Sequence, residues 1–378
     1  MSEDFTLDPE LCHLNHAAVG PWPRRTAEVV ARFAEENAHA GSLAYPQWLE
    51  VEQRLRERLA RLIGAVSPAD IALAKNTSEA LSVIAHGIVW RDGQNIVGIQ
   101  QEFPSNRIVW ESLATQGVEW RGLDLDASSD PEADLMALCD DETRLLAVSW
   151  VQYASGRRLD LERLGTYCRA KGILFCVDAI QGLGVLPCDV QRFQTDFLVA
   201  DGHKWLLGPE GLALLYVRPE LRETLTLRQF GWHMVEQVGD FDQVDWVPAE
   251  SARRFECGSP NLLGIHALEA SLSLIEELGP ETIWTRVQEC TNHLIEAIDR
   301  RGFELLTPSD PALRAGIISF RVPDRSAEPL YRALMQRKVL CACRGGGIRF
   351  SPHFHTPLSV IDRAMEILDE ILAAPPAS

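Results

Sequence analysis

Ile173-Leu174-Phe175-Cys176-Val177-Asp178 and, further along, Ala200-Asp201-Gly202-His203-Lys204-Trp205-Leu206-Leu207-Gly208-Pro209 are the stretches on which the fold turns. The first is an unbroken apolar run that stops at a carboxylate. Such a run predicts a strand buried on both faces, with Asp178 at its carboxyl end. The second begins at the end of another apolar run, 197–200, and carries a lysine between Gly202-His203 and a Gly-Pro turn. A lysine that forms an imine needs a confined site, where lost solvation lowers its pKa and leaves the amine nucleophilic. An aromatic aldehyde cofactor also needs a nearby carboxylate to govern its ring. Strand, Asp178, turn, strand and Gly202-His203-Lys204 provide both parts and point to pyridoxal 5′-phosphate (PLP).

Working outward, strand and helix patterns alternate. Helical periodicity covers about 23–37 and 47–63, and Ile71–Ala74 predicts a short strand running into a capped helix start at Asn76-Thr77-Ser78-Glu79. Positions 95–100, 144–150, 173–178, 197–200 and 212–217 predict further strands, and Leu161–Lys171 a helix. This alternation implies an α/β domain with a mostly parallel sheet. After Pro260 the character shifts: a helix over 263–277, strands over 316–321 and 347–351, and a closing helix over 357–373. The shift marks an expected boundary between a large region over 20–258 and a second, mixed region over 259–378.

Composition bounds the alternatives. The chain has 378 residues, 46% hydrophobic and 24% charged, ordinary for a globular protein of two domains. A net charge of −18 argues against nucleic-acid or anionic-membrane partners, which reward excess Lys and Arg. No apolar run approaches a bilayer-spanning length, and the acidic start Met1-Ser2-Glu3-Asp4-Phe5 lacks the features of a secretory signal. The nine scattered cysteines contain no Cys-x-x-Cys and suit a reducing, cytoplasmic setting. Cys341-Ala342-Cys343 is too tight for a usual zinc site, and His353-Phe354-His355 lacks further ligands, so no metal is expected.

PLP presents a phosphate, a ring nitrogen, a phenolic oxygen, a flat face and an aldehyde, and the chain offers a partner for each. Lys204 takes the aldehyde. Asp178 pairs with the protonated ring nitrogen, and Gln181 can donate to the phenolic oxygen. Asn76-Thr77-Ser78 opens a helix, where free N–H groups, the dipole and the Thr77 and Ser78 hydroxyls suit a phosphate. Phe103 can stack on the ring. Arg349 can clamp a substrate carboxylate through two hydrogen bonds. Each has a plainer use as well: Asn76 as a helix cap, Phe103 as a packing anchor, Arg349 as half of a surface ion pair.

The residues together resemble the class V aminotransferases, fold-type-I PLP enzymes that include cysteine desulfurases, C–S lyases, isopenicillin N epimerase-like proteins and kynureninase. The likeness follows chain order: Leu14-Asn15-His16-Ala17-Ala18, Asn76-Thr77-Ser78-Glu79-Ala80, Asp178-Ala179-Ile180-Gln181, Gly202-His203-Lys204, Phe255-Glu256-Cys257-Gly258-Ser259-Pro260-Asn261, and Ile348-Arg349-Phe350-Ser351-Pro352-His353-Phe354. It implies a large domain over 20–258 with a seven-stranded, mostly parallel sheet between helices, a smaller α+β domain built from 259–378 with the N-terminal arm 1–19, and a homodimer with shared active sites. It implies cofactor contacts from His203 and from Ser259, the latter reaching the neighbouring subunit's phosphate. It implies substrate contacts from Asn15 and His16 beside Arg349.

The departures bear on the reaction. Desulfurases usually carry a histidine where Phe103 stands, and a phenyl ring stacks without transferring a proton. They also carry a persulfide-forming cysteine on a loop between two arginines; here only Gly345-Gly346-Gly347-Ile348 separates Arg344 from Arg349, and Cys341 and Cys343 precede both. Asp201 stands where many relatives have Ser or Thr, and Tyr153 where desulfurases have asparagine. The expected activity is PLP chemistry at Cα of a small L-amino acid, with Lys204 as acid and base. Transamination is the favoured outcome, with a C–S lyase or desulfurase-like activity, or epimerisation, as alternatives. A non-catalytic PLP-binding or partner-binding relative is the alternative from another class, and the joint presence of Lys204, Asp178 and Arg349 speaks against it.

Overall fold

The computed structural model describes residues 4–242 and 244–374. Strand β1 (Cys12–His13) lies in the N-terminal arm. The large sheet holds β2 (Ile71–Ala74), β3 (Asn95–Ile99), β4 (Glu119–Leu123), β5 (Thr143–Ser149), β6 (Leu174–Asp178), β7 (Phe197–Asp201) and β8 (Ala213–Val217). Its order is β2-β8-β7-β6-β5-β3-β4, and only the pairings of β8 with β2 and β7 are antiparallel. The mostly parallel order is what the strand–helix alternation predicts, and the seven strands are what the family resemblance implies.

The strands read as unbroken apolar runs because both sheet faces are covered. Side chains alternate between the faces. Leu146, Val148, Phe175, Val177, Leu198 and Ala200 enter one core, packed with Leu55 and Leu59 from the helix Tyr45–Ile63. Leu145, Ala147, Leu174, Cys176, Phe197 and Val199 enter the other, with Ile84 from the helix Thr77–Gly87 and Trp110 from the helix Ser105–Glu111. With both faces buried, the exposed carboxyl ends of the parallel strands are where a ligand crevice forms.

A second sheet follows, built from β9 (Glu304–Leu305), β10 (Ile318–Arg321), β12 (Ala342–Arg344) and β13 (Gly347–Phe350) in the order β12-β13-β10-β9, all antiparallel. Strand β11 (Val339–Leu340) pairs instead with β1 of the arm. Cys12 and Leu14 of the arm share the core of this region with Phe320, Phe350 and Met365. The boundary differs from the expected 258/259. The helix Leu262–Leu278 buries Ile265, Leu268, Leu272 and Ile275 in the core of the large sheet, and the next helix, Pro280–Asp299, gives Ile283 and Val287 to that core and Cys290 and Leu294 to the other, so the cores divide within it. The shift in character after Pro260 marks a return to helix, and which core that helix packs on is a tertiary fact.

The arm is threaded tightly against the lysine loop. The Gly20 amide donates to the His203 carbonyl at 2.8 Å, and a Cβ on Gly20 would stand 2.3 Å from the Lys204 carbonyl oxygen. Gly20→Ala must therefore push the two backbones apart. Overpacking of this kind costs about 1–3 kcal/mol. We expect Gly20→Ala to lower the thermal midpoint and weaken PLP retention together; unchanged values for both would mean the arm is not held there.

Candidate active site

Three neighbouring strands deliver their last residues to one crevice. Ser149 ends β5, Asp178 ends β6 in direct register with it, and Asp201 ends β7. The loop after β7 then brings in His203 and Lys204. Above this edge lies a cavity of about 360 Å³, lined among others by Ala17, Ala18, Thr77, Ser78, Phe103, Tyr153, Gln181, Arg344 and Arg349. Of the residues singled out in the sequence, Lys204, Asp178, Thr77, Ser78, Phe103, Gln181, His203 and Arg349 meet in this one space.

The electrostatics follow from burial. Burial pushes Lys204 down to about 8, helped by the Arg349 and Arg344 guanidinium groups and opposed by the Asp178 and Asp201 carboxylates. Burial pushes Asp178 up to about 6, opposed by the Ile180 N–H and the Lys204 ammonium. The Asp178 carboxylate accepts from Ile180 N–H at 3.1 Å, which fixes one oxygen. Arg349 is pushed down to about 10 by burial and then by Arg344. It donates to the Tyr153 carbonyl at 2.6 Å, and its Nε is buried without a partner. Lys204 Nζ stands 5.6 Å from the centroid of Phe103, whose ring meets Tyr153 edge-on at 5.4 Å.

A helix start lines one side. Asn76 Oδ1 caps the helix Thr77–Gly87 by accepting from Glu79 N–H at 2.9 Å. The first-turn amides of that helix have no intrahelical acceptor and can bind an anion. The Thr77 hydroxyl is buried without a partner, while Ser78 Oγ donates to Ser105 Oγ at 2.8 Å. His203 Nδ1 lies 2.9 Å from Asp201 Oδ1, but off the hydrogen-bonding direction, so neither atom is satisfied.

Gln181 is tied more tightly than expected. Its Nε2 donates to the Ala17 carbonyl at 3.0 Å, and its Oε1 accepts from Trp205 Nε1 at 2.8 Å. The side chain thus joins the arm to the lysine loop and has one N–H left for a ligand. Asn15 and His16 need correction: neither lines the cavity, and Ala17 and Ala18 do. Asn15 bridges to Ser351 in the backbone. His16 is fully buried, with Nδ1 2.9 Å from the Ser351 carbonyl and Nε2 3.0 Å from His355 Nε2. Burial holds both His16 and His355 well below the usual imidazole range, so they join arm and small domain as neutral rings. Ser259 lies in a separate groove beside Lys75 and Glu79.

Sequence reading missed Glu102. It is fully buried behind Phe103, where burial pushes it up to about 7, opposed by hydrogen bonds from Ser149. It accepts from the Ser149 N–H at 2.7 Å, from the Ser149 hydroxyl, and from Gln152 at 3.2 Å. The loop carrying Phe103 is thereby fastened to the strand carrying Ser149. A glutamate before a loop aromatic carries no signal of burial. Elsewhere Glu52, His233 and Glu256 place possible ligand atoms within 4.8 Å, but Arg56 already bonds both carboxylates.

The unsatisfied atoms suit PLP. A buried amine, a buried carboxylate with a free oxygen, a helix start with an orphan Thr77 hydroxyl and an exposed aromatic face define a PLP-type site. The family model for class-V aminotransferases matches residues 15–351, and the chain belongs to this family of PLP-dependent enzymes. It is 33% identical to the isopenicillin N epimerase of Streptomyces clavuligerus over 387 aligned positions, covering 97% of this chain and 96% of that protein. Among solved structures, the apo cysteine desulfurase of Thermococcus onnurineus NA1 superposes with a TM-score of 0.86 at 25% identity, covering 96% of this chain and 94% of that one. A C-DES variant with glycine covalently linked to its PLP cofactor has a TM-score of 0.88 at 22% identity, covering 96% and 99%. PLP is the cofactor of this chain.

Proposed function

We propose that this enzyme acts at Cα of a small L-amino acid, with Lys204 as acid and base and transamination as the outcome. The observation that carries the reading is the gathering of Lys204, Asp178 and Arg349 in one cavity. PLP supplies, when bound, an electron-withdrawing ring conjugated to the substrate nitrogen, which weakens the bonds at Cα. Asp178 holds a negative charge against the ring nitrogen. Thr77, Ser78 and the first-turn amides hold the phosphate, with His203 beside them. Phe103, whose loop Glu102 fastens, would stack on the ring. Arg349 binds the substrate carboxylate and so orients Cα toward Lys204. Lys204 Nζ is the amine available to take the Cα proton and return it.

No cysteine is among the residues lining the cavity. Burial raises the Cys343 thiol and pushes Cys341 up to about 12, which keeps both protonated and unsuited to attack on sulfur. This disfavours a persulfide relay. Epimerisation is the second reading, favoured by the 33% identity to an isopenicillin N epimerase.

The active form is a homodimer in this reading. Ser259 lies outside the chain's own cavity and is free to serve a second copy. Phe230, Phe241 and Trp246 are 63%, 78% and 53% exposed, a surface that a second copy would cover.

The test is a panel of L-amino acids mixed with holoenzyme whose mass in solution is first measured by light scattering. We expect twice the chain mass and keto acid with stoichiometric cofactor amine. The D-enantiomer as main product would favour the second reading. Sulfide from cysteine at rates above both would overturn the argument from Phe103 and the absent cavity thiol.

A further inference from the structure

The cavity contains two arginines where an α-carboxylate needs one. Arg344 and Arg349 sit on the hairpin β12–β13, whose turn Gly345-Gly346 has φ of 56° and 75°. Positive φ at both central residues makes this the tight turn that matches strand twist, open to glycine at little cost. In its register Ala342 faces Arg349 and Arg344 faces Gly347. Opposed residues point to the same side of a hairpin, so both arginines leave the same face as diagonal neighbours, about 7–8 Å apart at the backbone. The short turn therefore places both arginines on one face of the hairpin, Arg349 buried and Arg344 exposed at the rim, and both line the cavity of Lys204.

Neither arginine has its charge answered by the protein. Arg344 donates to the carbonyl of its own neighbour, Cys343, at 2.8 Å, and Arg349 to the Tyr153 carbonyl. Among the described residues no carboxylate lies within 4.0 Å of either guanidinium. The Arg349 Nε is a buried donor with nothing to bond. A buried unsatisfied donor is costly and marks a place where a ligand completes the set. Neither cavity carboxylate pairs with these arginines: Asp178 faces the lysine, and Asp201 Oδ1 stands 2.9 Å from His203 Nδ1 without a hydrogen bond. With an α-carboxylate on Arg349, the exposed Arg344 at the cavity rim stays available to a second anion.

We propose that Arg344 is a specificity residue that binds a second anionic group, so that the substrate is an α-amino acid with an acidic side chain. The inference rests on the Cα chemistry proposed above and deepens it by naming the substrate class. Arg349 takes the α-carboxylate and Arg344 the distal one. A distal carboxylate one or two methylenes from Cα, as in aspartate and glutamate, is the group that Arg344 takes.

The test compares L-glutamate with L-glutamine and L-aspartate with L-asparagine on the holoenzyme. The wild type is expected to favour the acid of each pair at least roughly tenfold in kcat/KM, as a charge-assisted bond gives. Arg344→Gln brings the ratio near unity, Arg344→Lys keeps part of it, and Arg344→Glu inverts it. A second readout needs no turnover: calorimetric binding of glutarate against butyrate, with glutarate tighter in the wild type and the advantage lost in Arg344→Gln. Parity in the wild type, or a preference for acids that survives Arg344→Gln, overturns the proposal. If no amino acid reacts, the Cα chemistry itself fails, and the glutarate–butyrate comparison still decides whether Arg344 binds a second anion.

Discussion

Lys204→Ala is expected to lower turnover roughly 10,000-fold, the upper range for loss of a positioned acid–base group. Lys204 is the amine that the strand ends, burial and the cationic pair prepare for this work. Its pKa of about 8 leaves a useful fraction unprotonated near neutrality, and that fraction rises with pH. The exposed Lys338 illustrates the contrast, because Glu10 and Asp8 raise its pKa. The wild-type rate of PLP uptake should therefore climb through pH 8, and the climb should vanish in Lys204→Ala. The variant should still hold PLP through the phosphate and ring contacts, giving free-aldehyde absorbance in place of an imine band. Residual turnover within about tenfold of wild type would assign the proton transfer to another group.

Asp178→Asn is expected to move activity and stability in opposite directions. Across about 4 Å at an effective dielectric of ~20, a charge pair is worth about 4 kcal/mol before desolvation, or roughly a thousandfold in rate. Most of that is lost when the carboxylate facing the ring nitrogen becomes an amide. The apo protein should gain. Burial raises Asp178 from an ordinary 3.8 to about 6. The unfolded chain ionises first as pH rises, so folded-state stability falls between about pH 4 and 6 and stays lower above it. The loss amounts to about 3 kcal/mol, which Asn avoids. About half of it falls between pH 5 and pH 8, where chemical denaturation of the apo protein measures it. A variant less stable than wild type at pH 8 would show that the carboxylate is not penalised by burial.

What was legible in the sequence was whatever leaves a local pattern. The run 173–178 reads as a doubly buried strand because its residues alternate between two apolar cores, and β6 is found at Leu174–Asp178. The capping pattern at Asn76 marked the helix start, and Leu161–Lys171 matched its predicted span. Three helical positions carry less signal. The helices Pro280–Asp299 and Ala327–Gln336 were not anticipated, and the packing partner of Leu262–Leu278 was assigned to the wrong core. Contacts between distant segments were the hardest. His16 is a substrate contact only by the family resemblance of the stretch 14–18; its ring is buried against Ser351 and His355, more than three hundred positions away. Glu102 was invisible because burial of a carboxylate depends on Ser149 and Gln152 from another strand end. Arg344 entered only as a spacing argument, and the hairpin register shows that it shares a face with Arg349.

The most direct test is chemical. Holoenzyme is reduced with borohydride, digested, and the peptide carrying the pyridoxyl adduct is sequenced by mass spectrometry. The adduct should fall on Lys204 alone. An adduct on any other lysine, or none from a protein saturated with PLP, would contradict the site on which everything else depends.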